Sequence, residues 1–142
     1  MLAFLFGLIG IKLFNISNQI LFIVFVLIAG IFPDIDTPKS KIGSLFRPIS
    51  YLFKHRGFTH SLLVLPLISF VLYKFGYFAL ALPILIGYKS HLIGDAITKE
   101  GITPLHPLSK FKIRGFIKTG GVLENIIFGA LFLVSAYYLL HS

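Results

Sequence analysis

The chain has 142 residues, no Cys, and 13 Lys and Arg against five Asp and Glu, for a formal net charge of +8. With 56% hydrophobic and only 13% charged residues, and a mean hydropathy of +0.92, it is far more apolar than a soluble domain of this size requires. The missing Cys excludes a disulfide framework and thiolate metal sites, and a basic excess on so little polar surface suits anionic lipid headgroups rather than nucleic acid.

The first apolar stretch, Leu2 to Phe14, lacks a basic start and a small-residue cleavage site, so it reads as a retained helix rather than a secretory signal. Four more follow at Ile20 to Phe32, Leu62 to Tyr73, Phe75 to Tyr88 and Val122 to Leu140, separated by segments bearing Asn, Gly, Pro and Lys. The expected fold is all-α: an integral membrane bundle of four to five short helices, one unit over residues 1–142, with two polar loops on one face. Only the fourth and fifth stretches reach the ~20 residues of a full span. The polar connections, Pro33 to Phe58 and Lys99 to Gly121, are longer than tight helix hairpins need, and loops of that length are often functional.

If each helix crosses once, the second ends at the face where the third begins, the fourth returns to that face, and the fifth leaves it. Every acidic residue falls there (Asp34, Asp36, Asp95, Glu100 and Glu124), as do all His except His141 and all Lys and Arg except Lys12 and Lys74. The positive-inside rule makes this face the cytoplasmic side of a multi-pass inner, or plasma, membrane protein.

Three segments carry candidate chemistry. In Phe32 to Pro38, Pro33 disfavours a helical predecessor, and an extended Asp34-Ile35-Asp36 would turn both carboxylates to one side to grip a cation. The alternative is a helix-ending turn in which the Asp side chains bond nearby backbone N–H groups. In His55-Arg56-Gly57-Phe58-Thr59-His60, Gly57 permits a loop and Thr59 suits an N-cap, so that loop and helix converge two imidazoles. In the fourth segment His91 and Asp95 stand at i and i+4 on one helical face, either as a chelate or as a hydrogen bond that stabilises the helix end. Together these supply three His and three Asp, a number suited to two adjacent divalent cations. Glu124, in the first turn of the last helix, is a candidate ligand or general base, or a complement to the positive helix end. His106 reads as a loop residue.

The stretches PDIDTPKS, HRGFTHS, GYKSHLIGDAIT, EGITPLHP and TGGVLE closely resemble, in order and spacing, the YdjM-like family of membrane-bound predicted metal-dependent hydrolases, whose bacterial members include LexA-regulated proteins. The resemblance implies a small inner-membrane helix bundle, with metal-ligand roles carried to Asp34, Asp36, His55, His60, His91 and Asp95 and a supporting role for Glu124. It also implies hydrolase activity. The chain departs from the family pattern in having no His in its first helix and in having Thr37 where many members have His.

The function expected from these residues is metal-dependent hydrolysis of an ester or phosphoester, such as a lipid headgroup. Zinc is the expected metal, as one or two ions, with manganese and iron as alternatives. Glu124 and Arg56 are the expected catalytic groups, Arg56 orienting an anionic substrate through its planar fork. No G-x-S-x-G elbow and no phosphate-cradling Gly loop occurs in the chain, which argues against serine lipase and ATPase chemistry. The rival from another class is a membrane metal-binding or ion-translocating protein without hydrolytic activity.

Overall fold

A computed structural model describes residues 1–36 and 58–140, the side chains of Ile35, Asp36 and Phe58 excepted. Its helices are α1 (Leu2–Phe14), α2 (Gln19–Ile31), α3 (Val64–Lys74), α4 (Ala81–Ala96) and α5 (Val122–Leu140), with 3-10 turns at Phe32–Asp36, Phe58–His60 and Phe78–Leu80. The all-α expectation holds among the described residues, where the only β pairing is two isolated bridges.

Local chemistry sets the helix ends. Asn15 closes α1 in the left-handed conformation, at φ 49°, and the Asn18 side chain caps α2 by accepting from the Leu21 N–H at 3.1 Å. α3 ends on a Schellman motif, in which Gly76 takes φ 76°, Tyr77 N–H bonds the Leu72 carbonyl at 2.8 Å, and Gly76 N–H bonds that of Tyr73 at 3.1 Å. This motif corrects the expected fourth helix. The chain from Phe75 to Leu80 is spent on the turn, so α4 starts at Ala81 and has 16 residues. Among the described residues only α5, at 19, is long and apolar enough to cross a membrane.

α4 is the centre of the bundle. It packs most extensively on α2, then on α1, with α3 on another side, while α5 rests on α1. α2 turns Phe22, Val26 and Ala29 inward, the i, i+4, i+7 stripe of a one-sided helix. A cluster of Val64, Leu65, Tyr88, Leu92 and Ile102 forms the core between α3, α4 and the connection that follows α4. At the α2–α4 crossing a Cβ on Gly87 would lie 2.1 Å from the Val26 carbonyl oxygen and 2.9 Å from Gly30 N. The two backbones are therefore in direct contact, the close approach that small residues permit between membrane helices.

The connection from Ile97 to Gly121 is folded rather than merely long. Its bridges pair Thr98 with Ile117 and Ile102 with Ile113, and Ile102 and Ile117 are buried. Gly101 adopts φ 63°, and a Cβ there would lie 2.1 Å from the Ile113 carbonyl oxygen, so the turn requires glycine. This connection reaches back to the start of α3: the Pro104 carbonyl accepts from Ser61 Oγ at 2.9 Å and from Leu62 N–H at 2.8 Å.

The outer faces are apolar. On α5 only Ser135 is buried, and Ile126, Phe128, Phe132 and Leu133 all point outward. In water each such side chain forgoes roughly 1.5–3 kcal/mol of burial, whereas lipid imposes no such cost. Gly87→Ala is expected to push α2 and α4 apart and cost about 1–3 kcal/mol, read as a lower thermal unfolding midpoint of the detergent-purified protein. Gly129→Ala, at a position with nothing within 4 Å of the added Cβ, is expected to leave the midpoint unchanged or raised.

Candidate metal centre

Four chain segments meet at the end of the bundle where α2 and α4 finish and α3 and α5 begin. Asp34 stands in the 3-10 turn that extends α2, His60 in the turn before α3, and His91 and Asp95 on the last two turns of α4. Ligand atoms of Asp34, His60 and His91 all lie within 4.8 Å of one another. Asp95 joins them: its Oδ2 is 3.3 Å from His60 Nε2 and 3.6 Å from His91 Nε2, and His91 Nε2 is 3.7 Å from Asp34 Oδ1.

The imidazoles are oriented by backbone and hydroxyl partners. His91 Nδ1 lies 2.8 Å from the Gly30 carbonyl oxygen; a carbonyl only accepts, so Nδ1 carries the proton and, in the neutral ring, Nε2 presents its lone pair. That Nε2 is buried and makes no hydrogen bond, and it faces two carboxylates. A lone pair aimed at two anions is repelled by both unless positive charge lies among them. A cation meets that need, and so does a second proton on His91. The His to Asp separations of 3.3 to 3.7 Å exceed the ~2.7–2.9 Å of a charge-assisted hydrogen bond. They lie near the roughly 3.3–3.6 Å between neighbouring donors of a tetrahedral site with metal–ligand bonds of about 2.0–2.2 Å. A carbonyl on the far nitrogen of a ligating His is also the usual outer support of a metal site.

His60 is held more deeply. It is fully buried, its Nδ1 lies 3.2 Å from Thr59 Oγ1, and its ring meets that of His91 edge to face at 5.3 Å between centroids. The buried Tyr88 hydroxyl donates to the Thr59 carbonyl, tying the turn that carries His60 to α4. Ser61 and Pro104 fix the other side of this turn.

Two local expectations are corrected here. Of the two readings of Asp34-Ile35-Asp36, the helix-ending turn holds and the extended segment does not; Phe32 keeps helical angles, φ −55° and ψ −41°, despite preceding Pro33. Asp34 is placed toward the cluster, and the side chain of Asp36 lies outside the described residues. Thr59 is not an N-cap. α3 begins at Val64, the Ser61 hydroxyl accepts from Leu63 N–H at 3.2 Å, and Pro66 occupies the first turn, where a missing N–H costs nothing. His55 and Arg56 also lie outside the described residues.

Glu124 is in the first turn of α5, where its carboxylate accepts from the Gly120 N–H. It also lines a cavity of about 290 Å³ together with His91 and Asp95. His106 is in the folded connection and is not one of the Asp34, His60 and His91 group. The supports that sequence reasoning passed over are the Gly30 carbonyl and the Tyr88 hydroxyl. A Tyr three residues before His91, within an otherwise aliphatic stretch, was the available signal for the second; a backbone carbonyl leaves none. Tyr88→Phe is expected to cost about 0.5–1.5 kcal/mol of stability, measured by thermal unfolding.

The whole chain is similar to known proteins. Residues 1–141 match the family described as YdjM inner membrane protein. The uncharacterized protein YvsG of Bacillus subtilis is 35% identical over 117 residues, covering 78% of this chain and 73% of that protein. The inner membrane protein YdjM of Escherichia coli is 38% identical over 117 residues, 74% of this chain and 60% of that protein, and its Shigella flexneri counterpart gives the same values. The chain thus spans 60% of the length of these two inner membrane relatives. No solved structure matches it.

Proposed function

Since the chain belongs to the YdjM inner membrane protein family, we propose that it is a metal-dependent hydrolase of the inner membrane, with Asp34, His60, His91 and Asp95 holding a divalent cation, zinc being the best fit to its nitrogen and oxygen donors. Its substrate is an ester or phosphoester. The observation that carries this reading is the buried His91 Nε2, oriented by Gly30 and facing Asp34 and Asp95 at metal-site spacing. Asp36 and His55 complete the proposed ligand set for a second ion.

A bound divalent cation supplies Lewis acidity and lowers the pKa of water toward neutrality. The protein's own groups supply the rest. Hydrolysis breaks the bond to the ester oxygen, forms one to the oxygen of water, and leaves a proton to be moved from water to the departing oxygen. Glu124 faces the same cavity as His91 and Asp95 and serves as the carrier of that proton. Arg56 orients an anionic substrate. α5 crosses the membrane with its N-terminal turn on the cytoplasmic side, where the Lys and Arg of the connections gather.

Ion translocation is the less favoured reading. A conduction path calls for polar groups along its length, whereas His60, His91, Asp34 and Asp95 gather at one end of the bundle and Lys12 stands at the other, over the Tyr138 ring at 5.5 Å.

Elemental mass spectrometry of the detergent-purified protein is expected to find one or two equivalents of a divalent transition metal, lost in folded His91→Ala and Asp34→Ala. A folded protein prepared under metal-replete conditions that still binds no metal would end this reading. Glu124→Gln is expected to keep the metal while lowering hydrolysis of a responsive ester or phosphoester by about 10²–10⁴-fold; loss of metal in that variant would make Glu124 a ligand instead.

A further inference from the structure

The connection from Ile97 to Gly121 spends Ile102 and Ile117 on the bundle and leaves other apolar side chains outside it: Leu108 is 80% exposed, Phe116 75% and Phe111 65%. Basic residues are interleaved with them. Lys110, Lys112, Arg114 and Lys118 are exposed, and Glu100 is the only acid between Ile97 and Gly121. From Ser109 to Gly115 the backbone runs without a turn or bend, so Lys110, Lys112 and Arg114 alternate in side with Phe111 and Ile113. Covalent connection also keeps this surface close to the membrane. Phe116 is six residues before Val122, the first residue of α5, and so at most about 20 Å of chain from the one described helix with the length of a span.

We infer that this connection is an interfacial surface whose partner is the anionic headgroup layer of the membrane that α5 crosses. Leu108, Phe111 and Phe116 enter that layer as far as the first acyl carbons, and Lys110, Lys112, Arg114 and Lys118 meet its phosphates. The depth is bounded from both sides. An irregular backbone facing lipid is not tolerated in the hydrocarbon core, where its polar groups find no water, so the stretch lies above the core. Large apolar side chains held out in water forgo the gain of burial, whereas the boundary of headgroup and acyl chain buries them and leaves the backbone hydrated. Charge selects the kind of leaflet: each Lys or Arg near an anionic surface favours the seated state by about five-fold. An acidic soluble partner would answer the charges too, but the leaflet already lies within reach of Phe116 and needs no second molecule. This rests on the proposed reading of α5 as a membrane-crossing helix with a cytoplasmic start, and is independent of metal and of hydrolysis.

The chain has no Trp, so a single introduced Trp reports alone. The test places Phe116→Trp and, independently, Phe111→Trp in the full chain, reconstituted in vesicles of phosphatidylethanolamine and phosphatidylglycerol. Phe132→Trp, about 15 Å along α5 from Val122, is the deep reference. At the connection, lipids brominated near the glycerol end of the acyl chain are expected to quench more than lipids brominated near its tip; at Phe132 the order is expected to reverse. Replacing phosphatidylglycerol by phosphatidylcholine, or combining Lys110→Gln, Lys112→Gln and Arg114→Gln, is expected to lower the shallow quenching at least about two-fold and to raise quenching by acrylamide from the water. Red emission open to acrylamide in both kinds of vesicle would mean a connection free in water, and blue emission indifferent to every brominated lipid would mean one covered by protein; either overturns the proposal. Shallow quenching unchanged by lipid charge and by the Gln variant would remove the anionic partner and overturn it as well. The reference separates the two readings: if Phe132→Trp stays deep, only the interfacial surface falls, and if it too reports water, the spanning reading of α5 falls with it.

Discussion

The backbone contact between α2 and α4 at Gly87 governs the geometry of everything near the site. Because no side chain separates the helices there, α4 lies close enough to α2 for His91, one turn further on, to reach the carbonyl of Gly30. That hydrogen bond decides the tautomer of His91 and aims Nε2 at Asp34 and Asp95. The same crossing sets how far α2 extends before its 3-10 turn delivers Asp34. A wider crossing would separate the carboxylate from the imidazoles by a comparable amount, and a metal site tolerates only tenths of an ångström.

Around this crossing the protein uses its polar groups sparingly. Tyr88, Thr59, Ser61 and Pro104 form a chain of hydrogen bonds that braces the His60 turn from both sides, and each of these groups is supplied by a segment that also contributes to the apolar core. The connection after α4 is therefore part of the support for the site, which explains why a long stretch between helices folds into bridges instead of running as a simple link. At the far end of the bundle stand the turns that close α1 and α3 and the contacts of Lys12 and Lys74 with aromatic rings.

The apolar exterior and the one-ended polar cluster belong together. α1 to α4 have 11 to 16 residues, about 17–24 Å of helix against a hydrocarbon core of about 30 Å, while α5 has the length of a span. In the proposed membrane placement the polar end lies near the headgroup region, where ionisable side chains avoid the cost of deep insertion.

Much of this was legible in the residues. Apolar runs bounded by Asn, Gly and Lys predict α1 and α5 to the residue, because in a membrane setting helix extent follows apolar extent directly. The i, i+4 spacing places His91 and Asp95 on one face of α4, as the helical repeat demands. Less legible were the turns. Gly76 with its Schellman bonds removed the first residues of the expected fourth helix, and the chain at Phe32 and Pro33 stayed helical because α2 runs on into the 3-10 turn. Sequence by itself determined the helical class, the apolar surface and the supply of His and Asp without Cys. Only the tertiary structure decided which nitrogen of His91 carries the proton, that Asp34 and His60 meet it, and that Glu124 shares a cavity with it. Those are distances between segments far apart in the chain, and they are set by how closely two helices can approach, which no local pattern records.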